Sequence, residues 1–161
     1  MVKSETNDRK GVESPMFMGE YAHTVDAKGR VIMPAKFREE LGSVFVVTRG
    51  LEGCLSVYTQ EAWSRFAEAM KKLQASKENV RAFKRFLFGS AAELEFDKQG
   101  RILIPSTLRD YAELVKDVII LGTGDKIEIW SKGAYEAYAA KTVPAMEAIA
   151  ENLEGFGDLD F

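Results

Sequence analysis

A thirteen-residue segment occurs twice in this chain, so any fold it adopts must accommodate both copies. Asp26-Ala27-Lys28-Gly29-Arg30-Val31-Ile32-Met33-Pro34-Ala35-Lys36-Phe37-Arg38 returns 71 positions later as Asp97-Lys98-Gln99-Gly100-Arg101-Ile102-Leu103-Ile104-Pro105-Ser106-Thr107-Leu108-Arg109. Five aligned positions are identical (Asp, Gly, Arg, Pro, Arg) and four more keep an apolar residue. The match extends further. Val44–Val47 and Leu55–Tyr58, joined by the turn Arg49–Gly53, correspond to Val118–Leu121 and Ile127–Trp130, joined by Gly122–Asp125. Tyr58 and Trp130 lie 72 positions apart, a slip of one residue, so a whole unit is duplicated rather than a motif.

Each copy of the segment has a local physical reading. Asp26 opens a tight turn, its carboxylate placed to accept from main-chain N–H groups just ahead. Ala27 and Lys28 form a type I turn, and Gly29 supplies the left-handed residue that closes a three-residue hairpin loop. Arg30 starts the short apolar strand Val31–Met33. Pro34 ends that strand and suits the start of a helix over Ala35–Leu41, with Gly42 as its C-terminal cap. Asp97 to Tyr111, with Gly100 as the turn glycine, repeats the pattern. Each copy thus projects a basic turn whose Asp and Arg are four residues apart.

Tyr21, His23 and Val25 alternate with Ala22 and Thr24 as a half-buried strand should, and Ala92, Leu94 and Phe96 do the same before the second turn. Thr59 and Ser131 are placed as N-caps of helices. Trp63, Phe66 and Met70 form the apolar face of the first. Ser76 is expected to cap a helix with Val80, Phe83 and Leu87 on one face and Lys77, Arg81, Lys84 and Arg85 opposite. Thr142, with Pro144 in the first turn, is expected to start a final helix with the stripe Met146, Ile149, Ala150 and Leu153. That stripe packs either on its own chain or on a neighbour. The expected organisation is a flexible leader over 1–15, units over 16–75 and 91–141 linked by a helix over 76–90, and a helical, acidic tail over 142–161. Units of about 70 residues have marginal cores alone. Packing them face to face about an approximate two-fold axis gives one closed, β-rich α+β domain with peripheral helices.

Lys and Arg number 22 against 25 Asp and Glu, a net charge of −3 that by itself neither favours nor opposes nucleic acid. Its distribution says more. Pro144 to Phe161 holds five acidic residues and no Lys or Arg, so the remainder is slightly basic. One cysteine, Cys54, leaves no intrachain disulfide and fits a reducing compartment. No apolar run approaches the roughly 18 residues of a spanning helix, and the first fifteen residues lack a signal-peptide core. A cytoplasmic location is expected, with no membrane partner and no small-molecule substrate.

A single Asp-x-x-x-Arg turn could be a hairpin whose charges merely satisfy each other. Two copies, each beside further cations (Lys28, Lys36 and Arg38; Lys98 and Arg109), point outward instead. A guanidinium held by a neighbouring carboxylate suits phosphate oxygens or guanine edges, because its planar fork is pre-organised. Arg30 and Arg101 are therefore the leading DNA contacts, positioned by Asp26, Gly29, Asp97 and Gly100, with Lys28, Lys98, Lys36, Arg38 and Arg109 as further DNA-binding residues that contact the backbone. Enzyme readings are weak. His23, the lone histidine, falls on the apolar phase of a strand, and Cys54 reads as a small buried side chain. No metal-ligand spacing occurs, no cofactor is expected, and Gly122-x-Gly124 is a hairpin turn rather than a dinucleotide site.

Met16-Phe17-Met18-Gly19-Glu20-Tyr21, then Asp26-x-Lys28-Gly29-Arg30 with Pro34 and Phe37-Arg38, resembles the opening of the MraZ family of bacterial transcriptional regulators. Arg81-Ala82-Phe83-Lys84-Arg85-Phe86 followed by Gly89 is similar to that family's central helix, and Asp97-Lys98-Gln99-Gly100-Arg101 to its second copy. The resemblance spans about residues 16 to 140. It implies two fused SpoVT/AbrB-type DNA-binding units in a swapped-hairpin β-barrel. It places the family's Asp-x-x-x-Arg signature on Asp26 with Arg30 and on Asp97 with Arg101. It further implies a nucleoid-associated, ring-shaped homo-oligomer on repeated sites ahead of the division and cell-wall gene cluster containing its own gene. An antitoxin-type protein-interaction module, with 144–161 as a partner-wrapping tail, is the alternative.

Overall fold

A computed structural model describes residues 14–160 of the chain. The expected leader lies, over residues 1–13, outside the described residues. Eight strands form two sheets: β1 (Phe17–Thr24), β2 (Arg30–Ile32), β3 (Val44–Arg49), β4 (Leu55–Thr59), β5 (Ala92–Glu95), β6 (Arg101–Leu103), β7 (Asp117–Gly124) and β8 (Ile127–Ser131). Six make an antiparallel sheet in the order β1-β7-β8-β4-β3-β5, and β2 pairs antiparallel with β6 in a separate ribbon. The helices are α1 (Ala35–Leu41), α2 (Gln60–Lys71), α3 (Glu78–Phe88), α4 (Ser106–Ala112), α5 (Lys132–Thr142) and α6 (Met146–Glu151). The architecture is mixed α+β.

The two copies are interleaved rather than stacked face to face. β1 leaves its own copy and pairs with β7, Phe17 opposite Gly124 through Thr24 opposite Asp117. Reciprocally, β5 pairs with β3, Val44 opposite Glu95. β4 and β8 join the two hairpins at the sheet centre, Leu55 opposite Ile129. β1 and β5 are therefore the sheet's edges, and no ladder between them closes it among the described residues. Each loop closes with a single rung before its strands part, Asp26 N–H to Arg30 carbonyl at 2.8 Å and Asp97 N–H to Arg101 carbonyl at 2.9 Å.

Strand alternation then sorts the core. Phe45, Val47, Leu55, Val57, Val118, Ile120, Ile127 and Ile129 point to one face of the sheet. Val31 and Met33, with Ile102 and Ile104, meet them from the ribbon side, accompanied by Phe37 and Leu41 of α1 and Leu108 of α4. The helices α2, α3 and α5 cover the opposite face, where Thr48 donates to the Leu87 carbonyl and Tyr58, Trp63, Phe66 and Phe88 cluster. The β2–β6 ribbon thus forms an outer layer, with its inner residues in the core and its outer residues in solvent.

Several local expectations hold. Thr59 and Ser131 accept from the N–H groups of Ala62 and Ala134 at 3.0 and 3.2 Å. Gly42 caps α1 with φ +79°. Others are corrected. Lys77, not Ser76, occupies the N-cap of α3, and no side chain caps that end. Only Leu87 of the expected α3 face is buried, while Phe83 is exposed. Thr142 ends α5 instead of starting the last helix, because a 3-10 turn over Val143–Ala145 lets the chain pass Pro144. The short α6 that follows leaves Met146, Ile149 and Leu153 exposed on their own chain.

Gly42's counterpart is Glu113, which ends α4 in the left-handed region at φ 56° and ψ 42°. A side chain there carries a steric penalty that glycine lacks. Glu113→Gly is expected to raise the free energy of unfolding by about 0.5–1 kcal/mol, after allowing for glycine's larger unfolded-state entropy. Urea titration of the two proteins measures it.

Candidate nucleic-acid interface

Both turns have the same internal wiring. In the first, Asp26 Oδ1 accepts from the N–H groups of Lys28 and Arg30, each at 2.9 Å, and Oδ2 accepts from Arg30 Nε at 2.7 Å. In the second, Asp97 Oδ1 accepts from Gln99 and Arg101 N–H at 2.9 Å, and Oδ2 from Arg101 Nε at 2.7 Å. Gly29 and Gly100 close the loops at φ +85° and +78°, donating to the Asp26 and Asp97 carbonyls at 3.0 Å. Within each guanidinium, the carboxylate binds Nε alone. The two terminal nitrogens of Arg30 and of Arg101 make no hydrogen bond among the described residues.

The ribbon sets the relative placement. Arg30 lies opposite Leu103, Val31 opposite Ile102, and Ile32 opposite Arg101. Opposed residues share a face and successive residues alternate, so Val31 and Ile102 turn inward. Arg30, Ile32, Arg101 and Leu103 all turn outward. Arg30 and Arg101 form a diagonal pair, roughly 7–8 Å apart at the backbone. The two braced guanidiniums therefore share one face of one ribbon, with Lys28 and Lys98 exposed on the adjoining loops.

The turns are also locked to each other. Met33 N–H donates to the Gly100 carbonyl at 3.2 Å, and Ile104 N–H to the Gly29 carbonyl at 3.0 Å. Arg38 donates to the Met33 carbonyl, and Arg109 Nε to that of Ile104 at 2.9 Å. Their guanidiniums rest against the opposite turn. A methyl group at Gly100 would lie 2.7 Å from Arg38 Nη1, and one at Gly29 would lie 2.6 Å from Arg109 Cζ. Arg38 and Arg109 are half-buried and engaged with backbone, whereas Lys36 is exposed on α1, where its α4 counterpart is Thr107.

The apolar members of the outer face, Ile32 and Leu103, were absent from the sequence-derived site. A strand of three residues is too short for its alternation to be read. Their exposures, 45% and 56%, mark them once the ribbon is seen. Elsewhere, Arg81 donates to the Ala75 and Ser76 carbonyls at 3.0 and 2.9 Å, closing the loop before α3. Cys54 is buried, donates to the Leu51 carbonyl, and has its thiol pushed up to about 12, chiefly by burial. Burial likewise lowers the His23 pKa. Among the described residues, no group of three or more His, Cys, Asp and Glu side chains is placed to hold a metal ion, and no helix is long and apolar enough to cross a membrane.

Main-chain N–H donation from Arg30 and Arg101, reinforced by their side chains, holds both turn carboxyls below the ordinary Asp value of 3.8. The ordering these ion pairs supply is complete above that value and is lost as pH falls through the lowered one. The amide resonances of Lys28, Arg30, Gln99 and Arg101 are expected to titrate together, with midpoints below 3.8.

A family model described as "MraZ protein, putative antitoxin-like" matches this chain twice in tandem, over residues 16–86 and 87–156. The chain belongs to the MraZ family. The similarity extends to curated relatives, each named "Transcriptional regulator MraZ". The relative from Caldanaerobacter subterraneus subsp. tengcongensis is 53% identical, over 88% of this chain and 99% of its own. Those from Heliobacterium modesticaldum and Ligilactobacillus salivarius are each 52% identical over the same shares. Within the tandem MraZ matches, each unit contributes one braced turn and one strand of the shared ribbon. The turns are alike in wiring but not in sequence, with lysine at the third position of one (Lys28) and the second of the other (Lys98).

Proposed function

We propose that this MraZ-family chain is a sequence-specific, DNA-binding transcriptional regulator. One observation carries the reading: two arginines, each braced by an aspartate through Nε alone, present their free ends on the same face of a two-stranded ribbon. A ribbon of this kind fits the major groove, where a fixed guanidinium fork matches guanine O6 and N7. In this reading Arg30 and Arg101 contact bases or phosphates, and Lys28, Lys98 and Lys36 contact the backbone. Arg38 and Arg109 hold the turns from behind and add charge. The overall charge of −3 is consistent with one dedicated DNA face, the other surfaces being repelled from the duplex.

The proposal extends to assembly and target. Units over 16–75 and 91–141, joined by a helix over 76–90, form an AbrB-like swapped-hairpin barrel. The exchange of β1 and β5 between copies supports it. Several chains form a ring, supported by exposed Met16, Met18, Met146, Ile149 and Leu153. The ring binds spaced repeats ahead of the division and cell-wall cluster containing its own gene, on the nucleoid in the cytoplasm. Modest contacts per turn are multiplied by simultaneous engagement of several subunits.

A gel-shift titration on the duplex upstream of the gene tests this. Binding is expected to weaken with salt, the log–log slope being about −0.9 per phosphate neutralised. A shift that is insensitive to salt, or absent at every protein concentration, would refute it. The absent shift is what the antitoxin-type alternative predicts, a reading supported by the family description and by the exposed apolar stripe of the tail.

A further inference from the structure

The outer face of the β2–β6 ribbon consists of four side chains, and two of them are not charged. Ile32 stands directly across from Arg101, and Leu103 directly across from Arg30. Both are aliphatic and about half exposed, at 45% and 56%, although their neighbours Val31 and Ile102 are completely inside. A scattered exposed aliphatic residue is ordinary. This pair is not scattered. The two occupy equivalent places in the repeated segment, and each sits within a cross-strand contact distance of a braced arginine.

That combination selects its occupant. The face is cationic, with Arg30 and Arg101 flanked by Lys28 and Lys98. The carboxylates of the turns themselves, Asp26 and Asp97, are already engaged by their own arginines. A polyanion is therefore favoured over an apolar protein surface. Among polyanions, the major groove of duplex DNA alternates hydrogen-bond acceptors with one apolar feature, the C5-methyl group of thymine. Arginine and aliphatic side chains, adjacent on a ribbon narrow enough to enter that groove, match the two features side by side.

We propose that Ile32 and Leu103 are specificity-determining residues that contact thymine methyl groups next to the bases or phosphates engaged by Arg101 and Arg30. The assignment rests on the DNA-binding reading above. Each methyl group buried against an aliphatic side chain contributes about a fourfold gain in affinity, and nothing at a base that lacks it.

The probe is the duplex upstream of the gene, prepared once with thymine and once with uracil throughout, and titrated by gel shift. The wild-type protein is expected to bind the thymine duplex several-fold more tightly. Ile32→Ala and Leu103→Ala should each reduce that ratio, and the double variant should bring it close to one. Lys28→Ala serves as the comparison: it should weaken both duplexes alike and keep the wild-type ratio. Both aliphatic positions are exposed, and thermal unfolding checks that the variants fold. A double variant that keeps the wild-type thymine-to-uracil ratio overturns the inference while DNA binding stands. A double variant that keeps the ratio but changes its subunit count in light scattering assigns the pair to contact between copies, which also overturns it. Failure of the wild type to shift either duplex removes the DNA-binding reading, and this inference with it.

Discussion

Replacing Arg30 and Arg101 together with alanine is expected to lower affinity for the upstream duplex at least about a hundredfold, at roughly tenfold or more per arginine fork. The melting temperature should hardly move. Both ion pairs are partly solvated, with side chains 25–36% exposed, and such pairs contribute little to stability. The dissociation of affinity from stability is the informative result. Arg30→Lys should behave much like alanine, since lysine keeps the charge but cannot use one nitrogen for Asp26 and offer two others to a ligand. Gel shift and thermal unfolding on the same preparations decide it. A double alanine variant that binds as the wild type does would remove the ribbon face from the mechanism.

Phe37→Ala should have the largest effect on stability, a loss of about 3–5 kcal/mol. Phe37 is 1% exposed. Its ring makes T-shaped pairs with Phe17 and Tyr21, ring centres 5.7 and 5.2 Å apart, both carried by β1. The residue therefore does more than fill volume. It ties α1 to the strand that crosses to the other copy and pairs with β7. Denaturant unfolding of the variant is expected to show the lost free energy, and hydrogen exchange should accelerate first along β1. A loss under about 1 kcal/mol would mean that β1 is held by its ladder alone.

The chemistry of the turns was legible in the sequence because it is local. Asp26 and Arg30 are four residues apart, Gly29 is needed at positive φ, and every contact inside the loop is between near neighbours. Strand pairs such as β3–β4 and caps such as Thr59 and Ser131 were legible for the same reason. What spacing does not carry is contact across the repeat. Arg38 and Arg109 look like ordinary surface cations of short helices. Only the fold brings each against the turn of the other copy, with Gly100 and Gly29 leaving the room. The exchange of β1 and β5 is equally long-range, since a one-rung turn and a hairpin turn have the same sequence signature. Phe83 is exposed: amphipathic spacing marks a helix without saying which part of its stripe finds a neighbour. The aromatic cluster of Tyr58, Trp63, Phe66 and Phe88 takes that neighbour position instead.

Joining the halves in one polypeptide has an evolutionary consequence. Were the same interleaved particle built from two identical chains, any substitution in one loop would appear in both, and the two loops could never differ. Here each is encoded separately, and they have already drifted apart: Ala27-Lys28 in one, Lys98-Gln99 in the other. Separate encoding frees each loop from copying the other, so one subunit can carry two loops that differ in charge and shape.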